Sequence, residues 1–362
     1  MTRCVLKLFR RIEPGPNPEF EIGRALGALG FTRVPLLAGA LEYVRPGLDT
    51  GTLAIVQSAV KHQGSGWDFT IDELRRYYER VAPRGRDRHD GKEGQDRQAR
   101  RQEGGTSGPS AFFASLENWY LSSAVTLGKR TAEMHLTLAS ASGPAFAPEP
   151  IDGGAIAAAA REMRAHAEVS LDLLARQIGT LNETSRPLAE AVLGARRTLL
   201  ARFDELAATR NAGRRIRIHG DYHLGQVLRT EEDFVILDFE GEPSRSIADR
   251  REKHSPIKDV AGMLRSYSYA AYAALFAFTV HAPDEYPLLE SWADTWQHWA
   301  ADAFLGGYTA TIGESPLVPH GAAWSALMRA FVLDKALYEL SYELNNRPDW
   351  VRIPLAGIKK LG

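Results

Sequence analysis

RIRIHGDYHLGQVLRTEEDFVILDFEGEP, residues 215–243, sets three acidic or amide side chains between two short apolar runs. Arg217-Ile218 and Val227-Leu228 flank a polar loop, and Phe234-Val235-Ile236-Leu237 is a compact β-branched and aromatic run that ends at Asp238, as a short buried strand should. The polar residues His219, Asp221 and Gln226 therefore fall on a loop, and Asp238 and Glu240 at a strand tip. Strands fix the backbone there, and the loop lets side chains converge on a ligand.

Phosphoryl transfer to an alcohol needs one carboxylate to take the hydroxyl proton and oxygen ligands to hold magnesium against the phosphates. The spacing H-x-D-x-x-x-x-Q, then an apolar strand, then D-F-E supplies such a set. HGD alone suits any tight turn, because Gly and Asp tolerate unusual backbone angles. Gln226 and the strand-end acids shift the balance, since a purely structural hairpin has no need of an acid, an amide and a second acid around it. The alternation His219, Asp221, His223 also suggests metal ligation, but the accompanying clusters of a metallohydrolase are missing from the sequence.

HGDYHLGQ with ILDFE resembles the catalytic and magnesium loops of protein-kinase-like small-molecule kinases, the aminoglycoside phosphotransferase and choline kinase group. The longer string ILDFEGEPSRSIADRREKHSPIKDVAGMLRSYSYAA is similar to that of the maltokinases, a type that also occurs fused to trehalose synthase. The likeness runs from about Leu6 to Pro354. It implies an α+β, bilobal protein-kinase-like fold: a small β-containing N-terminal lobe and hinge over residues 1–62, truncated before its lysine strand, and a large, mainly helical C-terminal lobe over 63–362. It also implies an activity, the transfer of phosphate from ATP to the anomeric hydroxyl of maltose, giving maltose 1-phosphate and ADP. The alternatives are another small-molecule kinase of the same fold, acting on glucosamine, an aminoglycoside or choline, or a truncated, non-catalytic sugar-binding module that docks onto trehalose synthase.

Composition is compatible with these readings. The 44 basic and 45 acidic residues leave a net charge of −1, which offers no field for nucleic acid or an anionic membrane surface. A single cysteine, Cys4, rules out a disulfide framework. No apolar run reaches the length of a spanning helix or a secretory signal, so a cytoplasmic location is expected.

Toward the N-terminus, Val5-Leu6-Lys7-Leu8-Phe9 reads as a strand bearing one lysine, and residues from Glu19 to about Leu29 as a helix. In the kinase-like lobe a strand lysine meets the nucleotide phosphates and a helix acid orients it. The resemblance of LKLFRRIEPGPNPEFEI assigns these roles to Lys7 and Glu21. Two further strands, Leu36 to Val44 and Thr52 to Gln57, lead to Ser58-Ala59-Val60 and the loop HQGSGW, which resembles the hinge that meets adenine, with Gln57 and Val60 as contacts. The segment 83–109 is so charged and so poor in apolar residues that a disordered surface loop is expected.

Helical periodicity predicts Thr70 to Val81, Ala111 to Ser140, Gly154 to Leu181 and Arg186 to Asn211. His135 falls in the string LGKRTAEMHLTLA, where a lone helix histidine is more often packed than catalytic. Ser255-Pro256 opens a further helix whose first turn holds Asp259, expected either to favour the helix dipole or to accept hydrogen bonds from the catalytic loop. In AFVLDKALYELSYELNNRPDWVRIPL, Leu333, Leu337, Leu340 and Leu344 form a core stripe. Lys335, Tyr338 and Tyr342 share another face and are candidates to bind sugar. The assembled expectation makes Asp221 the base and gives Gln226, Asp238 and Glu240 to Mg²⁺. His219 assists catalysis, hydrogen-bonding the substrate beside Asp221 or bracing the loop, Lys7 and Glu21 serve ATP, and Asp259 supports the loop.

Overall fold

The computed structural model describes residues 3–47, 49–89, 108–243 and 245–362. Strands β1 (Cys4–Leu8), β2 (Leu37–Tyr43) and β3 (Gly51–Ser58) form an antiparallel sheet in the order β1-β3-β2. The central strand is the buried one, with Thr52, Ala54 and Ile55 nearly inaccessible, and the register sets Lys7 of edge strand β1 opposite Ile55. Helix α1 (Pro18–Ala28) starts where Pro18 follows Asn17, whose side chain caps the amide of Glu19 at 2.9 Å. Pro at the first helical position costs no hydrogen bond, and the Asn cap satisfies an orphan donor. Asn17 is tied to the sheet in turn, through its amide and the Thr52 hydroxyl at 3.0 Å.

The connection after β3 runs into α2 (Gly66–His89). That helix is longer than its apolar periodicity indicates, and its backbone continues through Pro83 to His89. The segment 83–109 is thus not irregular from its start: Pro83 to His89 are helical, and residues 90–107 lie outside the described residues. The larger lobe is built from α3 (Ala111–Ser140), α4 (Gly153–Gln177), α5 (Arg186–Gly194), α6 (Arg196–Ala207), the short α7 (Ile247–Arg250), α8 (Ile257–Thr279), α9 (Tyr286–Ile312), α10 (Gly321–Asn346) and α11 (Arg352–Lys359). The single helix expected from Arg186 to Asn211 is two, α5 and α6, with Ala195 between them.

Helices α3 and α9 meet at backbone contact. A methyl group on Gly128 would stand 2.0 Å from the Phe304 carbonyl oxygen, and one on Gly307 would stand 2.0 Å from that of Val125, so only glycine permits this approach. Tyr120 and Trp296 fill the same interface with ring centroids 4.9 Å apart. Trp292 and Trp296 are core side chains, as their helical spacing suggests. Leu333, Leu337 and Leu340 of α10 are fully buried. No described helix is long and apolar enough to cross a membrane.

Between the sheet and the helices lies the segment that carries the polar motif. Arg217-Ile218 is not a strand. Instead Arg214–Arg215 (β5) pairs with Glu149–Pro150 (β4), and Ile216 bridges His254. Val227–Arg229 (β6) and Phe234–Ile236 (β7) form the expected hairpin, antiparallel, with Val227 opposite Ile236.

Candidate active site

Asp221 and Asp238 are brought together by the turns that precede them. The imidazole Nε2 of His219 donates to the Leu237 carbonyl at 2.7 Å, which joins the HGD turn to the strand tip immediately before Asp238. Gly220, at φ +87°, lies against Gly241, at φ +72°, so closely that a methyl group there would stand 3.4 Å from the Gly241 Cα. Asp238 is itself left-handed, at φ +61°. An aspartate tolerates that region better than most residues, at a cost of about 1 kcal/mol. Strain of this kind is typical of positions whose side chain must be aimed.

His219 does not reach a ligand. The residue is 1% exposed, its ring lies between those of Tyr222 and Phe239, and its Nδ1 accepts weakly from the Asp221 amide at 3.4 Å. Of its two expected roles, substrate contact and bracing the loop, these contacts serve the second: both ring nitrogens are spent on the loop. Below it, Asp259 accepts from the amides of His219 and Gly220 at 2.8 and 2.9 Å. His135, 124 residues away in sequence, lies 3.2 Å from the same carboxylate through Nε2 and 3.0 Å from the Tyr308 hydroxyl through Nδ1. Burial alone would raise the Asp259 carboxyl pKa, but its contact with His135, together with the bond from the Gly220 amide, reverses that and holds it low.

Lys7 is the hub on the other side. Its Nζ lies 2.5 Å from Glu19 Oε2, 2.5 Å from Asp238 Oδ1 and 2.6 Å from Glu240 Oε1. Burial would lower its pKa, but these carboxylates more than offset it and hold the ammonium above its ordinary range. Asp238 is held low for the complementary reason, with the Lys7 hydrogen bond outweighing burial. The acid that orients Lys7 is therefore Glu19, not Glu21. On one helix these residues point in directions roughly 200° apart, and Glu21 faces Arg217 at 2.5 Å and Arg251 at 3.0 Å. Gln57 also turns toward Glu19, at 3.3 Å, while Val60 lies on the connection to α2.

One oxygen each from Glu19, Asp238 and Glu240 lies within 4.8 Å of the others. An all-oxygen set of this kind suits a hard divalent cation such as Mg²⁺. Gln226 presents its amide nitrogen to Asp238 Oδ2 at 3.1 Å, and a half turn of the amide exchanges that nitrogen for the oxygen.

Asp221 opens on the other side into a cavity of about 760 Å³ floored by α4, α8 and α10. Lys335 Nζ stands 3.8 Å from Asp221 Oδ1, and His223 Nε2 stands 3.9 Å from Oδ2. Tyr338 lines the cavity, with the Lys335 ammonium 4.9 Å from its ring centroid. Tyr342 does not: it is 46% exposed and lies beneath the Arg347 guanidinium, outside the cavity wall. The row of three on α10 is thus divided, because Tyr342 lies two turns, about 10 Å, farther along the helix than Lys335.

Cavity residues that the motif did not indicate include Glu162, Glu242 and Asp334, with His166 bound to Asp334 at 2.8 Å. Asp334 keeps the His166 pKa above the usual imidazole range. Lys258 and His254 also face the cavity. Burial, reinforced by Arg245, holds Lys258 below the usual lysine range, and burial with Lys258 pushes His254 down to about 3. Only Lys258 had a signal in the sequence, as the neighbour of Asp259 in the first turn of α8.

Residues 115–242 match the Phosphotransferase enzyme family, APH. The glucosamine kinase of Streptacidiphilus jiangxiensis is 26% identical over 345 residues, which cover 94% of this chain and 64% of that protein. The glucosamine kinase of Mycolicibacterium smegmatis is 33% identical over 145 residues, 40% of this chain and 33% of that one. The chain thus spans less than two thirds of the length of either relative. Among solved structures, a glucosamine kinase (crystal form B) superposes with a TM-score of 0.71 at 22% identity, covering 99% of this chain and 73% of that one. A glucosamine kinase in complex with glucosamine, ADP and inorganic phosphate gives 0.70 at 22%, covering 99% and 72%. The chain therefore has the kinase-like fold of those structures, a small sheet over a large helical lobe, and carries the pattern of the phosphotransferase enzyme family across the stretch that holds Asp221 and Asp238.

Proposed function

We propose that the chain is an ATP-dependent sugar kinase. The observation that carries the reading is the His219–Leu237 hydrogen bond, which fixes the Asp221 turn against the Asp238 strand tip between an acid-lined lysine and a large cavity.

ATP lies under the β-sheet with its adenine at the connection through Gln57 and Val60 and its phosphates at Lys7, which Glu19 orients. Asp238, with Gln226 and Glu240, holds Mg²⁺, which when bound neutralises phosphate charge. The acceptor occupies the cavity with one hydroxyl at Asp221. That carboxylate orients the hydroxyl and takes its proton as the oxygen forms a bond to the γ-phosphorus and the bond to the β-phosphate oxygen breaks, leaving ADP. Asp259 and His219 hold the Asp221 backbone in place throughout.

Glucosamine is the first acceptor to assay, because the relatives carry that activity in their names and Glu162 brings a carboxylate to the cavity lining. Maltose is the second, favoured by Lys335 beside Asp221, since a cation next to the reacting hydroxyl suits a neutral sugar better than a charged one. The test is incubation with ATP, Mg²⁺ and a panel of glucosamine, maltose, glucose, an aminoglycoside and choline, with ADP release and product mass as readouts. One sugar should gain a single phosphate. ADP release that no acceptor increases, with every panel mass unchanged, rejects the sugar-kinase reading.

A further inference from the structure

Two polar side chains in the cavity make no bond of their own. Among the described residues, neither the Lys258 ammonium nor the His254 ring takes part in a hydrogen bond or ion pair within the chain, although both line the same cavity as Asp221. Their backbones are firmly held. The His254 amide and carbonyl pair with Ile216 at 2.9 Å in both directions, and the Lys258 amide bonds the Ser255 carbonyl at 3.0 Å. Lys258 also precedes Asp259, whose carboxylate grips the backbone of the HGD turn at His219 and Gly220. The ammonium is thus carried on the same helical turn that fixes Asp221.

A half-buried ammonium without a partner is costly in a fold, because its lost hydration is not replaced. The cavity carboxylates relieve it only in part: Glu242 and Asp334 act on it through space, but Asp334 is bound to His166 at 2.8 Å and Glu242 to Arg245 at 3.0 Å. A neutral imidazole beside it offers one donor and one acceptor, and the ammonium offers three donors. That inventory matches neighbouring hydroxyl and ring oxygens, which both give and accept hydrogen bonds, and it repels a second cation.

We propose that Lys258 and His254 form the subsite that recognises the oxygen atoms of the acceptor and so determine acceptor specificity. The assignment rests on the sugar-kinase reading. It places a neutral polyhydroxyl group, not an ammonium, against the first turn of α8.

The test compares the unsubstituted chain with Lys258→Gln, Lys258→Arg and His254→Gln, using whichever sugar the panel identifies. Lys258→Gln should raise the acceptor KM about tenfold, the worth of one charged hydrogen bond, with the ATP KM unchanged and the melting temperature no lower than the parent's. Lys258→Arg should recover part of the loss, and calorimetry without nucleotide should show the same order of acceptor affinities. His254→Gln should weaken the acceptor as well, by less. An acceptor KM within about twofold in Lys258→Gln, or an equal rise in the ATP KM, overturns the subsite while leaving the kinase reading intact. If the unsubstituted chain transfers phosphate to no sugar, both fall together.

Discussion

Exchanging one carboxylate oxygen of Asp221 for an NH2 group removes its basicity while keeping its shape, and that difference tests its role. Asp221→Asn keeps the shape of the side chain and both of its neighbours, Lys335 and His223, but it cannot take a proton from a hydroxyl. The expected result is a fall in kcat of roughly 10²- to 10⁴-fold with nucleotide binding by calorimetry unchanged. Near-normal turnover would remove Asp221 as the base. The neighbouring residues show what a sequence can and cannot convey at this scale. Gln226 and Asp238 are legible because a hairpin forces them together, and such local geometry is written in the spacing of apolar and polar residues; Asp221 joins them through the short HGD turn held by His219. Glu19 and Glu21 are not distinguishable in that way. Both are acids in the first turn of α1, and which one meets Lys7 depends on the rotation at which α1 docks on the sheet. That rotation is set by Asn17 bonding Thr52, 35 positions away. His135 and Asp259 meet across still more chain.

Elements are more legible than their ends. The long apolar stripes of α3 and α10 are readable from periodicity alone, whereas the junction at Ala195 and the continuation of α2 through Pro83 are not. Where α2, α3 and α9 meet, the packing encloses acids that no periodicity reveals. Arg80 of α2 donates to Glu73 at 2.7 Å and to Glu117 of α3 at 2.8 Å, and Trp296 of α9 donates to Glu117 at 3.0 Å. Glu117 is fully buried, and burial together with Glu73 pushes its carboxyl up to about 8. An exposed glutamate titrates near 4.3, so between about pH 4.3 and 8 the folded chain holds a proton that the unfolded chain has lost. Stability must then fall as pH rises through that window and level off above it, by about 1 kcal/mol per pH unit. Glu117→Gln keeps the neutral form and removes the titration. Unfolding midpoints measured from pH 5 to 8.5 should therefore decline less in the variant than in the parent, and parallel curves would show that Glu117 is ionised in the fold.

At the scale of the whole molecule, α1 is one of the parts of the smaller lobe that tie it to the larger one, and its two acids divide the work. Glu19 turns inward to Lys7, and Glu21 turns down to Arg217 and Arg251. Arg217 is 1% exposed, and its Nε and Nη2 are buried without a partner among the described residues, so the Glu21 carboxylate supplies nearly all of its compensation. Breaking a buried pair by neutralising one member leaves the other charge stranded, which typically costs about 3–5 kcal/mol. Glu21→Gln should therefore lower the unfolding free energy from denaturant titration by an amount of that order and loosen the contact between the lobes, read as faster cleavage by a protease under native conditions. Glu19→Gln should act in the opposite sense on the two readouts: little loss of stability, because Lys7 keeps Asp238 and Glu240, but weaker binding of ATP, because the lysine is no longer aimed. A Glu21→Gln chain as stable as the parent, or a Glu19→Gln chain that unfolds early while binding ATP normally, would reverse the assignment and return the orienting role to Glu21. The two variants differ by two positions on one helix, so any general disturbance of α1 affects both equally, and only the direction in which each side chain points separates their effects.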